Sequence, residues 1–256
     1  MILARPMSSP RRLTTVRRLA AGVLVTLLFA ACSVPTAVPT PSPSAPPTTP
    51  PTTPPYTLGP APTGCPTSAP AAMTSGTATV TMTTNFGNIV ITVDSSLGPN
   101  AAGAFVALAR CGYYDNVLFH RVVVSPAKFI VQTGDGQYGR LPSFIPSQMG
   151  QGGPGWNITD DKVTTTYKRG TLAMARTSAA NSGNSQFFIV LDDSAQTSLG
   201  AATTNNYAIF GTVTSGMAVV ARISAIPLGG DPGPNGEPPS MPLQPAVITS
   251  TTVTTP

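Results

Sequence analysis

The chain has 256 residues, of which 29 are Pro, 24 Gly, 3 Cys and 1 His, and only 9% are charged. Its formal net charge of +5 comes from five arginines in the first 18 residues, and the remainder carries nine basic and nine acidic side chains. A neutral body cannot bind a polyanion by counterion release, so nucleic acid is not an expected partner. One His and three Cys are too few ligands for a structural zinc site, and we expect neither metal nor cofactor.

Residues 1–31 have the pattern of an export signal. Arginines precede an uncharged run from Leu19 to Ala31, which ends in small residues directly before Cys32. This run is too short to span a bilayer, which takes about 20 residues, but it matches the hydrophobic region of a signal peptide. The ending Phe29-Ala30-Ala31-Cys32 resembles a bacterial lipobox, which predicts cleavage before Cys32 and acylation of its thiol. An ordinary secretory signal followed by a chance cysteine is the alternative.

Residues 32–75 are predicted to form a disordered tether. The stretch from Ser33 to Ala72 contains 14 prolines in 40 residues and no charged side chain. Such a composition buries too little apolar surface to fold, and it favours extended polyproline II. A stalk that holds a domain away from the membrane and a spacer of arbitrary length both explain it. The predicted location is the bacterial cell envelope, lipid-anchored to the outer face of the cytoplasmic membrane or secreted, with the lipid as the only membrane contact.

The folded domain is predicted to occupy residues 76–256. A turn at residues 85–88 joins the first two strands into a hairpin, and helices are predicted from Pro99 to Gly112 and over residues 216–225. Strand patterns occupy residues 77–83, 89–93, 117–124, 129–133, 171–175, 186–191, 207–213 and 246–253. Many strands, two helices and no alternating βαβ order predict a mainly β fold, a closed or nearly closed antiparallel barrel.

Two cysteines, Cys65 and Cys111, remain once Cys32 is assigned to a lipid. Outside the membrane an even pair of cysteines favours a disulfide, which would attach the end of the tether to the first helix. Two unpaired buried thiols are the alternative.

Three groups of motifs stand out together. They are FHRV (119–122) with FIVQTGD (129–135), then GTLAMA (170–175) with NSQFFI (184–189), and finally YAIFG (207–211). In this order they resemble the cyclophilins, which are peptidyl-prolyl cis-trans isomerases built on a closed eight-stranded antiparallel β-barrel with two capping α-helices. The resemblance spans roughly residues 77–253, and the loop from Gly150 to Trp156 is similar to that of bacterial members.

The resemblance implies that the substrate is an X–Pro peptide bond in exported or unfolded proteins. Rotation about this bond has a barrier of about 18–20 kcal/mol, and a donor aimed at the prolyl nitrogen binds the twisted transition state most strongly. The implied donor is Arg121, which Gln132 would orient, while Gln186 would hold the peptide backbone. The implied floor that receives the proline ring consists of Phe129, Ile130, Phe188 and Leu199. The implied catalytic residues are Arg121, Phe129 and Gln132, and the implied substrate-binding residues are His120, Ile130, Ala175, Arg176, Gln186, Phe188, Leu199 and Tyr207.

The individual residues also have simpler interpretations. Phe129, Ile130 and Phe188 alone would be read as barrel core, Arg121 alone as a surface charge, and His120 as lining the site rather than transferring protons. The sequence departs from well-known family members in the longer connection over residues 124–128, in the absence of a rim tryptophan, and in Tyr207 and Arg176, where histidine and asparagine are common. A non-catalytic module that binds proline-containing segments of envelope proteins is the alternative function, and we expect a monomer in either case.

Overall fold

The computed structural model describes residues 62–124, 129–200, 207–231 and 239–255. The predicted signal peptide (1–31), the predicted lipidation site Cys32 and most of the predicted tether lie outside these residues, as does most of the lengthened connection over residues 124–128. Within the described ranges, no helix combines the length and the apolar character that crossing a membrane requires.

The described residues form eleven strands, three α-helices and one 3₁₀ helix. The helices are α1 (Pro99–Arg110), α2 (Ala195–Leu199) and α3 (Met217–Ser224), with the 3₁₀ helix at Pro146–Gln148. The strands are β1 (Thr77–Thr84), β2 (Gly87–Asp94), β3 (Val117–Leu118), β4 (Arg121–Val123), β5 (Ile130–Thr133), β6 (Thr171–Met174), β7 (Phe187–Val190), β8 (Ile209–Ser215), β9 (Leu228–Gly229), β10 (Met241–Pro242) and β11 (Val247–Thr254).

Nine of these strands form one antiparallel sheet in the order β3-β11-β1-β2-β8-β6-β7-β5-β4. The strands at the two ends, β3 and β4, are separated on the chain only by Phe119 and His120. The Phe119 N–H donates to the Ala246 carbonyl (2.8 Å), whereas the His120 N–H donates to the Gln132 carbonyl (3.1 Å). The sheet therefore curls until both of its edges meet on residues 117–123.

This arrangement refines the predicted eight-stranded closed barrel. The single strand predicted at 117–124 is divided, because its first part pairs with β11 and its second part pairs with β5. No ladder joins β3 to β4 in the described residues, so the covalent chain rather than a row of hydrogen bonds connects the two edges. The prediction of a mainly β fold with a curled antiparallel sheet is confirmed.

The prediction of two helices was incomplete. The predicted helices correspond to α1 and α3, and α2 is additional. A helix of five residues is too short to develop the apolar periodicity by which the other two were recognised. It nevertheless contributes Ala195 and Leu199 to the interior.

Alternation along the strands divides the apolar side chains between two clusters, because successive side chains point to opposite faces of a sheet. One set fills the barrel core together with Phe105 of α1 and Val220 of α3. The other set lies on the outer face of β5, β6, β7 and β8 and is called the outer cluster here; it comprises Phe129, Ile130, Tyr167, Ala173, Phe188, Val190, Ala195, Leu199 and Ile209.

Residues 62–75 are called the N-terminal arm here, and they contact the barrel rather than forming part of a free tether. Cys65 and Cys111 are joined by a disulfide with their Cα atoms 5.2 Å apart. The Pro66 carbonyl accepts a hydrogen bond from Trp156 Nε1 (2.9 Å), and the Met73 N–H donates to the Pro99 carbonyl (2.9 Å). A cross-link and hydrogen bonds thus hold a segment that composition alone would leave unfolded, while the tether boundary at residue 75 stays a prediction.

Candidate functional site

Five neighbouring strands each place one side chain in a single row across the outer face of the sheet. Arg121 on β4 is paired with Gln132 on β5, and Gln132 is paired with Phe188 on β7. The row continues from Phe188 to Ala173 on β6 and from Ala173 to Ile209 on β8. Directly paired residues have Cβ atoms about 4.5–5.5 Å apart on the same face. Strand register thus places a cation and an amide beside an apolar surface.

The residues predicted to receive the prolyl ring lie together in the outer cluster. Phe129, Ile130, Phe188 and Leu199 are members of the cluster, and each exposes between 2% and 8% of its surface. The ring of Tyr207 packs edge-on against Phe188, with the ring centroids 5.3 Å apart. Tyr207 and Ala175 are partly buried at the border of the cluster. The predicted floor is therefore one contiguous apolar surface beside Arg121.

A chain of hydrogen bonds connects Arg121 to a neighbouring loop. Arg121 Nη1 donates to Gln132 Oε1 (3.2 Å), and Gln132 Nε2 donates to Gln186 Oε1 (3.0 Å). Gln186 Nε2 then donates to the carbonyls of Gly150 (3.0 Å) and Gly152 (2.8 Å). Gln132 thus contacts the guanidinium as expected. The amide of Gln186 holds Gln132 and this loop, and its predicted role in holding a peptide backbone stays a prediction.

Residues 150–156, called the glycine loop here, are also held by a buried carboxylate. Asp135 Oδ2 accepts hydrogen bonds from the backbone N–H groups of Gly150 (2.7 Å) and Gly152 (3.1 Å). Its Oδ1 accepts hydrogen bonds from the N–H groups of Gln137 and Tyr138. Asp135 lies within the motif FIVQTGD, but no role was predicted for it from the sequence. The available signal was an acidic residue two positions after a buried strand, where a carboxylate needs several donors.

His120 lies beneath the glycine loop and is almost completely buried. Neither ring nitrogen has a hydrogen-bond partner among the described residues. Burial lowers the pKa of His120 to about 4; the charge of Asp135 acts in the opposite direction, and the charge of Arg121 lowers the pKa further. The imidazole is therefore neutral at neutral pH. This agrees with a residue that lines the site and does not supply a proton.

The side chain of Arg176 contacts its own loop and Asp160. Its Nη1 lies 3.4 Å from Asp160 Oδ2 and donates to the Ala179 carbonyl (2.8 Å). The side chain thus stabilises the turn that follows β6, and its predicted binding role stays a prediction. The neighbouring Ala175 N–H donates to the Gln186 carbonyl (2.8 Å), which fixes the backbone beside the outer cluster.

Tyr167 positions Tyr207 and was not predicted from the sequence. The Tyr167 hydroxyl donates to the Tyr207 carbonyl (2.7 Å) and accepts from the Tyr207 N–H (2.9 Å). Burial raises the pKa of Tyr167 to about 12, so the hydroxyl remains a donor at physiological pH. The sequence feature that could have indicated a role for Tyr167 is that it is the single aromatic residue in the polar stretch 164–169.

Comparison with known proteins assigns this arrangement to a family. Residues 79–253 match the family model described as cyclophilin type peptidyl-prolyl cis-trans isomerase. The chain belongs to the cyclophilin family. A probable peptidyl-prolyl cis-trans isomerase of Brucella abortus is 33% identical over 147 residues, which cover 57% of this chain and 70% of that protein.

Further similarity covers nearly the whole length of other cyclophilins. A peptidyl-prolyl cis-trans isomerase of Streptomyces antibioticus is 33% identical over 177 residues, covering 68% of this chain and 96% of that protein. The crystal structure of a Cryptosporidium parvum cyclophilin, determined in the presence of the dipeptide Ala-Pro, is 26% identical with a TM-score of 0.52. The match covers 70% of this chain and 99% of that one. The family resemblance and the cyclophilin-like fold are confirmed.

Proposed function

We propose that this cyclophilin is an enzyme that accelerates cis-trans isomerisation of X–Pro peptide bonds. Relatives that carry this name match the chain over most of their own length. The observation that carries the proposal is the row across the sheet, which sets the guanidinium of Arg121 beside the outer cluster. The two requirements of the reaction, a donor for the prolyl nitrogen and an apolar surface for the ring, thus lie next to each other.

The chemistry requires no nucleophile. In the planar ground state the prolyl lone pair is delocalised into the carbonyl, and in the twisted transition state it becomes a hydrogen-bond acceptor. An arginine presents its N–H donors in a planar fork, and the bond from Arg121 to Gln132 Oε1 restricts the orientation of this fork. A proline ring against the outer cluster excludes water from the donor, which strengthens the hydrogen bond in the transition state.

Substitution of Arg121 tests the proposed mechanism. For Arg121→Ala we expect kcat/KM on an Ala-Pro peptide to fall about 100-fold to 1,000-fold, the usual effect of removing one preorganised transition-state donor. A protease-free assay, such as exchange NMR, measures the rate directly. Arg121→Lys is the matched variant, because it keeps the charge but lacks the planar fork, and it should recover only part of the activity. Equal activity of Arg121→Ala and the wild type would contradict the mechanism.

We propose further that the substrates are proline-containing segments of exported proteins, and that the protein is a monomer anchored to the cell envelope through a lipid on Cys32. The Cys65–Cys111 disulfide supports an oxidising compartment, since such bonds are rare in the bacterial cytosol. Refolding outside the membrane is slowed by prolines in the same way as elsewhere. Mass spectrometry of the mature N-terminus tests the anchor; an unmodified residue 32, or a terminus elsewhere, would contradict it.

A second candidate is a module that binds proline-containing segments without turnover. It is favoured by two departures from well-known family members, the absence of a rim tryptophan and Tyr207 at a position where histidine is common. The same exchange experiment separates the two functions. Measurable peptide binding with exchange no faster than in buffer would favour the binding module.

A further inference from the structure

A second cavity, with a volume of about 710 Å³, is lined by none of the residues of the outer cluster. Its wall on the sheet side is formed by Arg121, His120 and Gln132, which belong to the candidate site. Its other walls are residues 146–151 and a hairpin that carries Asp231. The cavity thus adjoins the proposed donor but not the surface that would receive the prolyl ring.

The hairpin wall is attached to the sheet. Strands β9 and β10 pair with Met241 opposite Gly229, and the Val122 N–H of β4 donates to the Ser240 carbonyl (2.8 Å). A further hydrogen bond joins the Leu243 N–H to the Pro227 carbonyl (2.9 Å) at the base of the hairpin. Asp231 therefore follows an element with a defined position relative to Arg121.

The two charged side chains among the described lining residues have opposite signs and lie on different walls. Arg121 is on the sheet wall and Asp231 is on the hairpin wall, where it is exposed. Asp231 makes no ion pair within the part of the chain that the structure describes. Pro146, Met149 and Met241 supply apolar surface between the two walls. A cation on a flexible aliphatic stem fits this combination, because the stem contacts apolar groups while the charged end remains near water.

We infer that the second cavity is a specificity subsite for a Lys or Arg side chain of the substrate, located within two residues of the X–Pro unit that isomerises, with Asp231 as its counter-charge. The inference rests on the proposed isomerase function, because the substrate must pass Arg121 to reach the cavity. Solvent-exposed ion pairs are worth little, so the expected preference for a cation over an anion is about twofold to fivefold in kcat/KM.

A charge scan of the substrate tests the subsite. Each peptide of the series has blocked ends and a central Ala-Pro core flanked by alanines. Lys, Ala or Glu is placed in turn at each of the two positions on either side of the core. Exchange NMR gives kcat/KM for the wild type, Asp231→Asn, Asp231→Lys and the control Asp94→Asn. Asp94 lies on β2, which is separated from β4 by four strands in the sheet, and its acceptor role towards Ser96 can be retained by asparagine.

The expected result is a preference for Lys over Glu at one or more scanned positions in the wild type and in Asp94→Asn. Asp231→Asn should abolish the preference and Asp231→Lys should reverse it, while the all-alanine peptide reacts equally fast with every variant. The preference should also weaken in 1 M salt, where charges are screened within about 3 Å. Turnover without any charge preference, or a preference that survives Asp231→Asn, would overturn the subsite alone. No turnover on any peptide would overturn the isomerase proposal together with the subsite.

Discussion

Two regions meet at the candidate site, and they are held in place by different means. The row from Arg121 to Phe188 is set by strand register, so the ladders of β4, β5 and β7 fix it through many backbone hydrogen bonds. The glycine loop belongs to no ladder; Gly150 and Gly152 are held by the side chains of Asp135 and Gln186. The site therefore has one half that the sheet holds rigidly, the row, and a second half, the glycine loop, whose position depends on a few side-chain hydrogen bonds.

The difference predicts two kinds of variant. A substitution in the row removes a chemical group but leaves the backbone ladder intact, so it should change turnover more than stability. A substitution that disturbs the support of the glycine loop leaves several buried donors or acceptors without partners, each costing about 1–3 kcal/mol. Such variants should change stability and turnover together. The following three predictions test this contrast.

The largest expected effect on stability concerns the disulfide that anchors the N-terminal arm. The arm reaches the glycine loop through the hydrogen bond from Trp156 to the Pro66 carbonyl. Cys65 and Cys111 are 46 residues apart, and closing a loop of this length stabilises the folded state by about 4 kcal/mol in the chain-entropy description. We therefore expect Cys65→Ala/Cys111→Ala to lower the free energy of unfolding by about this amount, as measured by urea denaturation.

The same variant tests whether turnover at the row depends on the N-terminal arm. Since Asp135 and Gln186 still hold Gly150 and Gly152 when the cross-link is removed, kcat/KM should change less than about threefold under conditions where the variant remains folded. Wild-type protein under reducing conditions is the matched control and should unfold at the same urea concentration as the variant. An unchanged unfolding midpoint would show that the arm adds nothing to the domain, and a large loss of turnover would show that the row depends on it.

The second prediction concerns His120, which lies between the row and the glycine loop. Its pKa is lowered from 6.5 to about 4 in the folded protein, so the unfolded chain binds a proton first as the pH falls. The free energy of unfolding should therefore be independent of His120 above about pH 6.5 and decrease between pH 6.5 and 4, by roughly 3 kcal/mol in total. His120→Asn should lack this part of the pH dependence.

Urea denaturation of the wild type and His120→Asn is measured in parallel from pH 7.5 to 4. The difference between the two stability curves isolates the contribution of the histidine, because the carboxylates contribute equally to the pH dependence of both proteins. Parallel stability curves would mean that His120 is not desolvated in the folded state. In the proposed mechanism the isomerisation rate of the wild type should also be nearly constant between about pH 6 and 9, because the reaction transfers no proton. A steep change near pH 6.5 would point to proton transfer by the histidine.

The contrast also explains how much could be predicted from the sequence. Period-2 alternation predicted most strands, and the family motifs predicted that Arg121, Gln132 and Phe188 would lie close together, because register follows from the same alternation. The roles of Asp135 and Tyr167 were not predicted, because their partners are backbone groups on distant loops and no periodic pattern marks them. The even pair of cysteines favoured the cross-link of the arm, but a proline-rich composition indicates disorder and carries no information about the Trp156 hydrogen bond.

The smallest expected effect compares two glycines of the same loop. A Cβ on Gly152 would lie 2.2 Å from Asp135 Oδ1, so Gly152→Ala must displace either the loop or its carboxylate, at an expected cost of about 2 kcal/mol in stability. Gly155 is the matched control, because its φ of +90° strains an alanine by about 1 kcal/mol but no atom lies within 4 Å of the added Cβ. Gly152→Ala should also lower kcat/KM several-fold, since the shifted loop carbonyls no longer hold Gln186, whereas Gly155→Ala should leave kcat/KM unchanged. Equal turnover of the two variants would show that the row positions Arg121 without help from the loop, and the division of the site into two interdependent halves would then be wrong.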